Sequence, residues 1–143
     1  MNRILVVEDE PELLSATADF LREAGYPVLE ARDAVEAMRL IAEQRLVPSL
    51  ILLDVMMPKV SGLDLFKWVK AKPELADVPV LIVTALAHVE LPQQVTAVLR
   101  KPYRPDRLLA VVDGLCGNSL VGKAEAALRA RRLRMGGTSQ KLV

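Results

Sequence analysis

Short apolar runs alternate with longer amphipathic segments along most of the chain. Five such runs occur, at residues 4–7, 28–31, 49–53, 78–83 and 95–99. They are apolar almost throughout and do not alternate with polar residues, which is typical of strands that are covered on both faces of a sheet. The pattern therefore predicts five buried strands.

The first two segments between these runs carry clear helix signals. Pro11 is suited to the first turn of a helix, and Gly25 is suited to the position just after its end. The second segment predicts a helix over 34–45, because Asp33 and Glu36 have the spacing of an N-terminal capping box.

The later segments are less regular. Ser61 can cap a third helix, and Pro105 can open a last one that runs towards Gly114. Pro92 interrupts 86–94, so only a shortened fourth helix is expected between the fourth and fifth strands. Strands and helices in this alternation predict a doubly wound α/β fold with a parallel sheet.

Polar side chains stand where these strands end. Glu8 and Asp9 follow the first strand, Asp54 the third, Thr84 the fourth and Lys101 the fifth. In open parallel sheets the functional site lies beyond the carboxyl ends of the strands, so we expect these five residues to converge. Two carboxylates about 4 Å apart repel by about 4 kcal/mol at an effective dielectric constant of 20, so the cluster requires cations.

Lys101 supplies one positive charge, and the remaining negative charge suits Mg²⁺, which binds to oxygen ligands. Beside a metal and a lysine, a carboxylate can act as a nucleophile towards phosphorus, and Asp54 is the candidate. Glu8 and Asp9 are placed as metal ligands, while Thr84 could donate a hydrogen bond to the new phosphoryl group.

Composition excludes several other classes of protein. The single cysteine, Cys116, excludes an intramolecular disulfide, and the single histidine, His88, excludes zinc sites built on paired histidines. The longest uncharged stretch, 78–89, is too short to span a bilayer, and the first residues lack the order of a signal peptide. We therefore expect a cytoplasmic protein without membrane association.

Charge divides the chain into two parts. Residues 1–117 carry 13 basic and 17 acidic side chains, whereas residues 118–143 carry 6 basic and 1 acidic side chain. We expect a domain over 1–117 and a basic helical or disordered tail over 118–143. The tail has no aromatic residues between its arginines, so nucleic-acid binding is not favoured. Two other interpretations of the tail stay open, a linker to an output domain and an arm that contacts a partner.

Four motifs together resemble the receiver domain of bacterial two-component response regulators, over residues 1 to about 116. They are VVEDE at 6–10, LLDVMMPKVSGLDL at 52–65, VTA at 83–85 and KPY at 101–103. The resemblance implies a flavodoxin-like sheet with strand order 2-1-3-4-5. It also implies transfer of a phosphoryl group from a histidine kinase or phosphotransfer protein to Asp54, with the backbone carbonyl of Met56 completing the Mg²⁺ shell. An unidentified protein would receive the signal.

The chain departs from the family pattern at three positions. Val98 stands where receivers usually carry an aromatic switch residue. Met56 and Leu86 occupy the positions that often tune dephosphorylation, and neither side chain can orient a water molecule. These two residues predict a long-lived phosphoryl group on Asp54.

Other functions stay open beside a phosphorylation switch. The first is a phosphorylation-independent interaction module with the receiver shape, which the valine at position 98 allows. A turnover phosphatase is less favoured, because Met56 stands where such an enzyme would need a second acid. Flavin binding is the least favoured alternative, because the acids after the first strand would repel a phosphate group. The leading prediction is a signalling phosphoacceptor, not an enzyme, that assists only its own phosphorylation.

Overall fold

A computed structural model describes residues 3–55, 62–85, 91–92 and 94–116. Its elements are β1 (Ile4–Val7), α1 (Pro11–Glu23), β2 (Val28–Ala31), α2 (Ala34–Gln44), β3 (Leu50–Asp54), α3 (Gly62–Lys70), β4 (Val80–Thr84), β5 (Ala97–Arg100) and α4 (Pro105–Cys116). The chain divides into two units, Met1–Lys101 and Pro102–Val143. The first unit contains the whole sheet and α1 to α3, and the second contains α4.

The five strands form one parallel sheet in the order β2-β1-β3-β4-β5. In the register of this sheet Val7 aligns with Leu53, so the residues after β1 lie beside the end of β3. Thr84 at the end of β4 aligns with Arg100 at the end of β5. The sheet therefore brings the carboxyl ends of its strands to one edge, and the predicted α/β fold and strand order are confirmed.

One face of the sheet is covered by α2 and α3. Strand residues such as Leu53 and Ile82 pack in one buried cluster with Ile41 of α2 and with Phe66 of α3. The helix α1 packs against β1 and β2. All residues of β1, β3 and β4 are buried, as expected for strands covered on both faces.

Local signals in the sequence account for the ends of α1 and α2. Gly25 has φ 101°, so it terminates α1 in a left-handed conformation that glycine adopts without strain. The Asp33 carboxylate accepts a hydrogen bond from the backbone N–H of Glu36 at 2.7 Å, which is the predicted N-cap. The Glu36 carboxylate accepts from the backbone N–H of Arg32, one residue before the cap.

Other expectations shift or fall outside the described part of the chain. The last helix, predicted to run towards Gly114, continues past it and ends at Cys116. The third, fourth and fifth strands begin one or two residues later than the apolar runs that predicted them. The Ser61 cap, most of 86–94 and all of 118–143 lie outside the described residues.

Candidate functional site

Three acidic side chains meet at the carboxyl edge of the sheet. Glu8 and Asp9 follow β1, and Asp54 is the last residue of β3. One carboxylate oxygen from each of the three lies within 4.8 Å of the others. The parallel register causes this convergence, because β1 and β3 are hydrogen-bonded neighbours that end side by side.

Lys101 joins the two buried acids of this cluster. Its ammonium group donates hydrogen bonds to Glu8 Oε1 at 2.8 Å and to Asp54 Oδ2 at 3.2 Å. The backbone N–H of Lys101 donates to the Thr84 carbonyl oxygen at 2.8 Å, so the end of β4 positions the lysine backbone. The structure thus places Glu8, Asp9, Asp54 and Lys101 together, and Thr84 is buried at the end of the neighbouring strand.

Access to solvent differs among these side chains. The side chains of Glu8 and Asp54 are each 7% exposed, and that of Lys101 is 23% exposed. Asp9 is exposed. The cluster therefore has a desolvated inner part and an outer carboxylate that water reaches.

Burial and charge shift the pKa values of two groups. Burial raises the pKa of Glu8 to about 8, and the Asp54 carboxylate adds to this through a hydrogen bond and like charge. The Lys101 ammonium group lowers the pKa of Glu8 and so offsets part of this rise. Burial alone would lower the pKa of Lys101, but its pKa is raised because Glu8 and Asp54 stabilise the ammonium form.

The donor set suits a hard divalent cation. Three carboxylates offer only oxygen ligands, and exposed Asp9 leaves room for the water molecules that Mg²⁺ retains. A divalent ion would also relieve the repulsion that raises the pKa of Glu8. The residues present therefore fit Mg²⁺. The predicted fourth protein ligand, the carbonyl oxygen of Met56, lies outside the described residues.

Gly62 is a structural requirement of the site that the sequence reasoning missed. A Cβ atom at this first residue of α3 would lie 2.6 Å from the Asp54 carbonyl oxygen and 2.9 Å from Val55 Cα. These are backbone atoms, so they cannot move aside cheaply. The glycine lets the start of α3 approach the strand end that carries Asp54, and its place beside the predicted Ser61 cap was the available signal.

The departure at position 98 lies in the described part of the chain. Val98 of β5 is partly buried and packs against the core cluster on the α2 and α3 side. An aliphatic side chain therefore occupies the position of the usual aromatic residue.

Leu86 lies outside the described residues. Across the described ranges, no helix combines the length and the apolar character needed to cross a membrane.

Comparison with known proteins gives one consistent family. The model of the response regulator receiver domain matches residues 4–113. The polar-differentiation response regulator DivK of Brucella anthropi is 31% identical over 121 residues, which cover 81% of this chain and 97% of the relative.

Solved structures agree with that family. The chemotaxis protein CheY4 of Vibrio cholerae matches with a TM-score of 0.73 and 28% identity, covering 80% of this chain and 98% of that chain. The response regulator TrrA of Thermotoga maritima, solved in complex with Mg²⁺-BeF, matches with a TM-score of 0.71 and 29% identity, covering 80% and 99%. With strand order, acidic cluster and family match in agreement, the chain belongs to the receiver domains of response regulators.

Proposed function

We propose that this chain is a two-component receiver that accepts a phosphoryl group on Asp54 and passes its state to a protein partner. The observation that carries the proposal is the position of the Lys101 ammonium group between Asp54 and Glu8, at 3.2 and 2.8 Å. Such a cation, beside a carboxylate at a strand end, is what an aspartyl nucleophile requires. The donor would be a histidine kinase or a phosphotransfer protein.

In the proposed reaction an Asp54 carboxylate oxygen attacks phosphorus as the P–N bond to the donor histidine breaks. The product is an acyl phosphate, and the leaving imidazole takes up a proton. Lys101 offsets the negative charge that Asp54 and the phosphoryl oxygens bring together, and the Thr84 hydroxyl donates a hydrogen bond to the transferred group. Mg²⁺, held by Glu8, Asp9, Asp54 and the Met56 carbonyl, would neutralise charge on the phosphoryl oxygens.

Receiver domains are signalling phosphoacceptors, and the proposed role for this chain is of that kind. The phosphoryl group stays on Asp54, so the chain assists its own modification and does not turn over a substrate. We assign the receiver to 1–117 and a basic extension to 118–143, in a cytoplasmic protein that acts on an unidentified partner protein.

Intact mass after incubation with acetyl phosphate tests the proposal. We expect one added phosphoryl group that requires Mg²⁺ and disappears in Asp54→Asn. Asp19→Asn is the matched control, because it removes the same charge from a side chain that is 67% exposed on α1. Modification that persists in Asp54→Asn, or that does not need Mg²⁺, would contradict the assignment.

A second candidate function is a phosphorylation-independent interaction module. The observation that favours it is Val98, which leaves β5 without the aromatic side chain that receivers commonly use to report phosphorylation. The same experiment separates the two functions. If the protein stays unmodified under conditions that modify a known receiver, the module becomes the better explanation.

A further inference from the structure

A pocket lies at the end of β3 that is opposite to Asp54. Its volume is about 360 Å³, and it is formed by the C-terminal part of α2, residues 45–47, Trp68 of α3, and Lys72, Glu74 and Leu75. We call it the α2–α3 pocket. Pockets of about 300–1000 Å³ are large enough for a ligand or an inserted side chain. Because residues 45–47 precede β3 and Asp54 ends it, the length of the strand separates the pocket from the acidic cluster.

The lining of the α2–α3 pocket is largely apolar. Ile41, Leu46 and Leu75 are buried residues that contribute to it. Val47 also contributes but is 55% exposed. Within the described ranges, Val35 at 54% is the other large hydrophobic residue of comparable exposure, and it does not line this pocket. Exposed apolar surface beside a concave apolar lining favours insertion of an apolar side chain.

Charges around the pocket are net positive. The pocket is lined by two basic residues, Arg45 and Lys72, and by one acidic residue, Glu74. The Lys72 ammonium lies 4.6 Å from the centre of the Trp68 ring, in a cation–π contact. Among the described residues, neither Arg45 nor Lys72 forms an ion pair with a carboxylate. The pocket therefore offers two cations to a negatively charged group.

Arg45 occupies a backbone position that does not suit an arginine. It is the C-cap of α2 with φ 47° and ψ 44°, and within the described ranges it is the one non-glycine residue with positive φ. Helices commonly place glycine at such a left-handed position, because a Cβ atom there causes strain. The chain thus keeps an arginine beside the pocket at a conformational cost, which is often found at binding sites.

From these observations we propose that the α2–α3 pocket docks an acidic, extended segment of a partner protein. The segment inserts one apolar side chain against Val47 and Trp68, and a neighbouring carboxylate contacts Arg45 and Lys72. This inference does not depend on phosphorylation of Asp54, because the pocket shares no residue with the acidic cluster.

Two features favour a partner segment over other occupants. Val47 and Arg45 are exposed beside the pocket, so the contact surface extends past the volume that a small molecule would fill. A second copy of the chain, docked symmetrically, would bring two net-positive surfaces together. An acidic segment instead meets opposite charge and covers the exposed valine.

Selection from a phage-displayed library of random short peptides tests the proposal without a phosphodonor. Peptides are enriched on the wild-type protein and counterselected on Val47→Asp. We expect the survivors to contain a leucine or an aromatic residue flanked by aspartate or glutamate. Basic survivors, or no peptide that distinguishes the two proteins, would overturn the proposal.

Affinity measurements on the best tryptophan-free peptide then locate the contact. Trp68 is the only tryptophan in the chain, so a change in its emission reports directly on the pocket. We expect Val47→Asp to weaken binding about tenfold or more, as for a central apolar contact. Val35→Asp, the matched exposed valine on α2, should leave the affinity within about twofold, because surface changes away from a contact have small effects.

Arg45→Gly separates a binding role from a structural one. Glycine relieves the left-handed strain, so the midpoint of urea unfolding should rise while peptide binding weakens about fivefold, the size expected for a lost charge contact. Unchanged binding in this variant would refute the role of Arg45. A dimer in sedimentation that Val47→Asp abolishes would identify a second copy as the occupant and overturn the proposal.

Discussion

Raising the pH from 5 to 7 in the absence of divalent cations is expected to destabilise this protein through Glu8. Burial and then the neighbouring Asp54 raise the pKa of Glu8 from its ordinary value of 4.5 to about 8. Between these two values the folded state binds more protons at Glu8 than the unfolded state does. The free energy of unfolding therefore falls as the pH rises through this window.

The magnitude follows from the width of the window. One pKa unit corresponds to about 1.4 kcal/mol, and the interval from pH 5 to 7 lies wholly inside the window, so Glu8 alone accounts for about 2 to 3 kcal/mol. Small domains have free energies of unfolding of about 5–15 kcal/mol, so this loss is measurable. The Glu8 side chain is only 7% exposed, so solvent does little to screen the effect.

The Asp54→Asn variant isolates this contribution, because it removes the charge that faces Glu8 and retains the shape of the side chain. The pKa of Glu8 should fall while burial still keeps it raised, so we expect a smaller loss between pH 5 and 7 than in the wild type. The variant should also be more stable than the wild type at pH 7. Asp19→Asn, an exposed acid, should keep the wild-type pH dependence.

Urea unfolding followed by circular dichroism at pH 5, 6 and 7, with a chelator, measures these differences. Saturating Mg²⁺ should remove most of the loss in the wild type, because the ion binds to ionised carboxylates of the folded state. Mg²⁺ should raise the free energy of unfolding of Asp54→Asn less than that of the wild type. Equal pH dependence in the wild type and Asp54→Asn would refute the coupling between these two acids.

Three further predictions concern packing, capping and the lifetime of the modification. Gly62→Ala should lower the free energy of unfolding by about 1–3 kcal/mol in urea titrations through its contact with backbone. Gly114→Ala, which meets open space within α4, should instead raise it by about 0.5–1 kcal/mol, and the reverse order would contradict the packing argument. Asp33→Ala should lower the free energy of unfolding by about 1 kcal/mol, because it removes the N-cap of α2. Asp33→Asn keeps a side-chain acceptor and should lower it clearly less. Equal losses in the two variants would argue against the cap. Phosphoryl-Asp54 should decay over minutes or longer in a single-turnover assay, because help from an oriented water, worth about 10²–10⁴ in rate, is missing; decay within seconds would exclude this.

Some features of this protein could be predicted from local patterns because their causes are local. The bounds of β1 and β2 equal those of the apolar runs, and the Asp33 cap forms at the predicted residue. The last helix, predicted to run towards Gly114, continues past it to Cys116, because glycine only lowers helix propensity by about 1 kcal/mol and the buried face of α4 extends beyond it. The roles of the acids and the lysine stay predictions that the mass measurement will test.

The sequence by itself determined the order of strands and helices, the residues at the strand ends and the oxygen-only character of the candidate metal site. These follow from periodicity and residue type, which act over short stretches of chain. Tertiary structure alone decided that the Lys101 ammonium bridges Glu8 and Asp54, that Gly62 lies against the Asp54 carbonyl oxygen, and that α2 and α3 leave a pocket beside Trp68. Each of these depends on atoms from distant parts of the chain meeting within a few ångströms, and the registration of strands and the packing of helices set those distances.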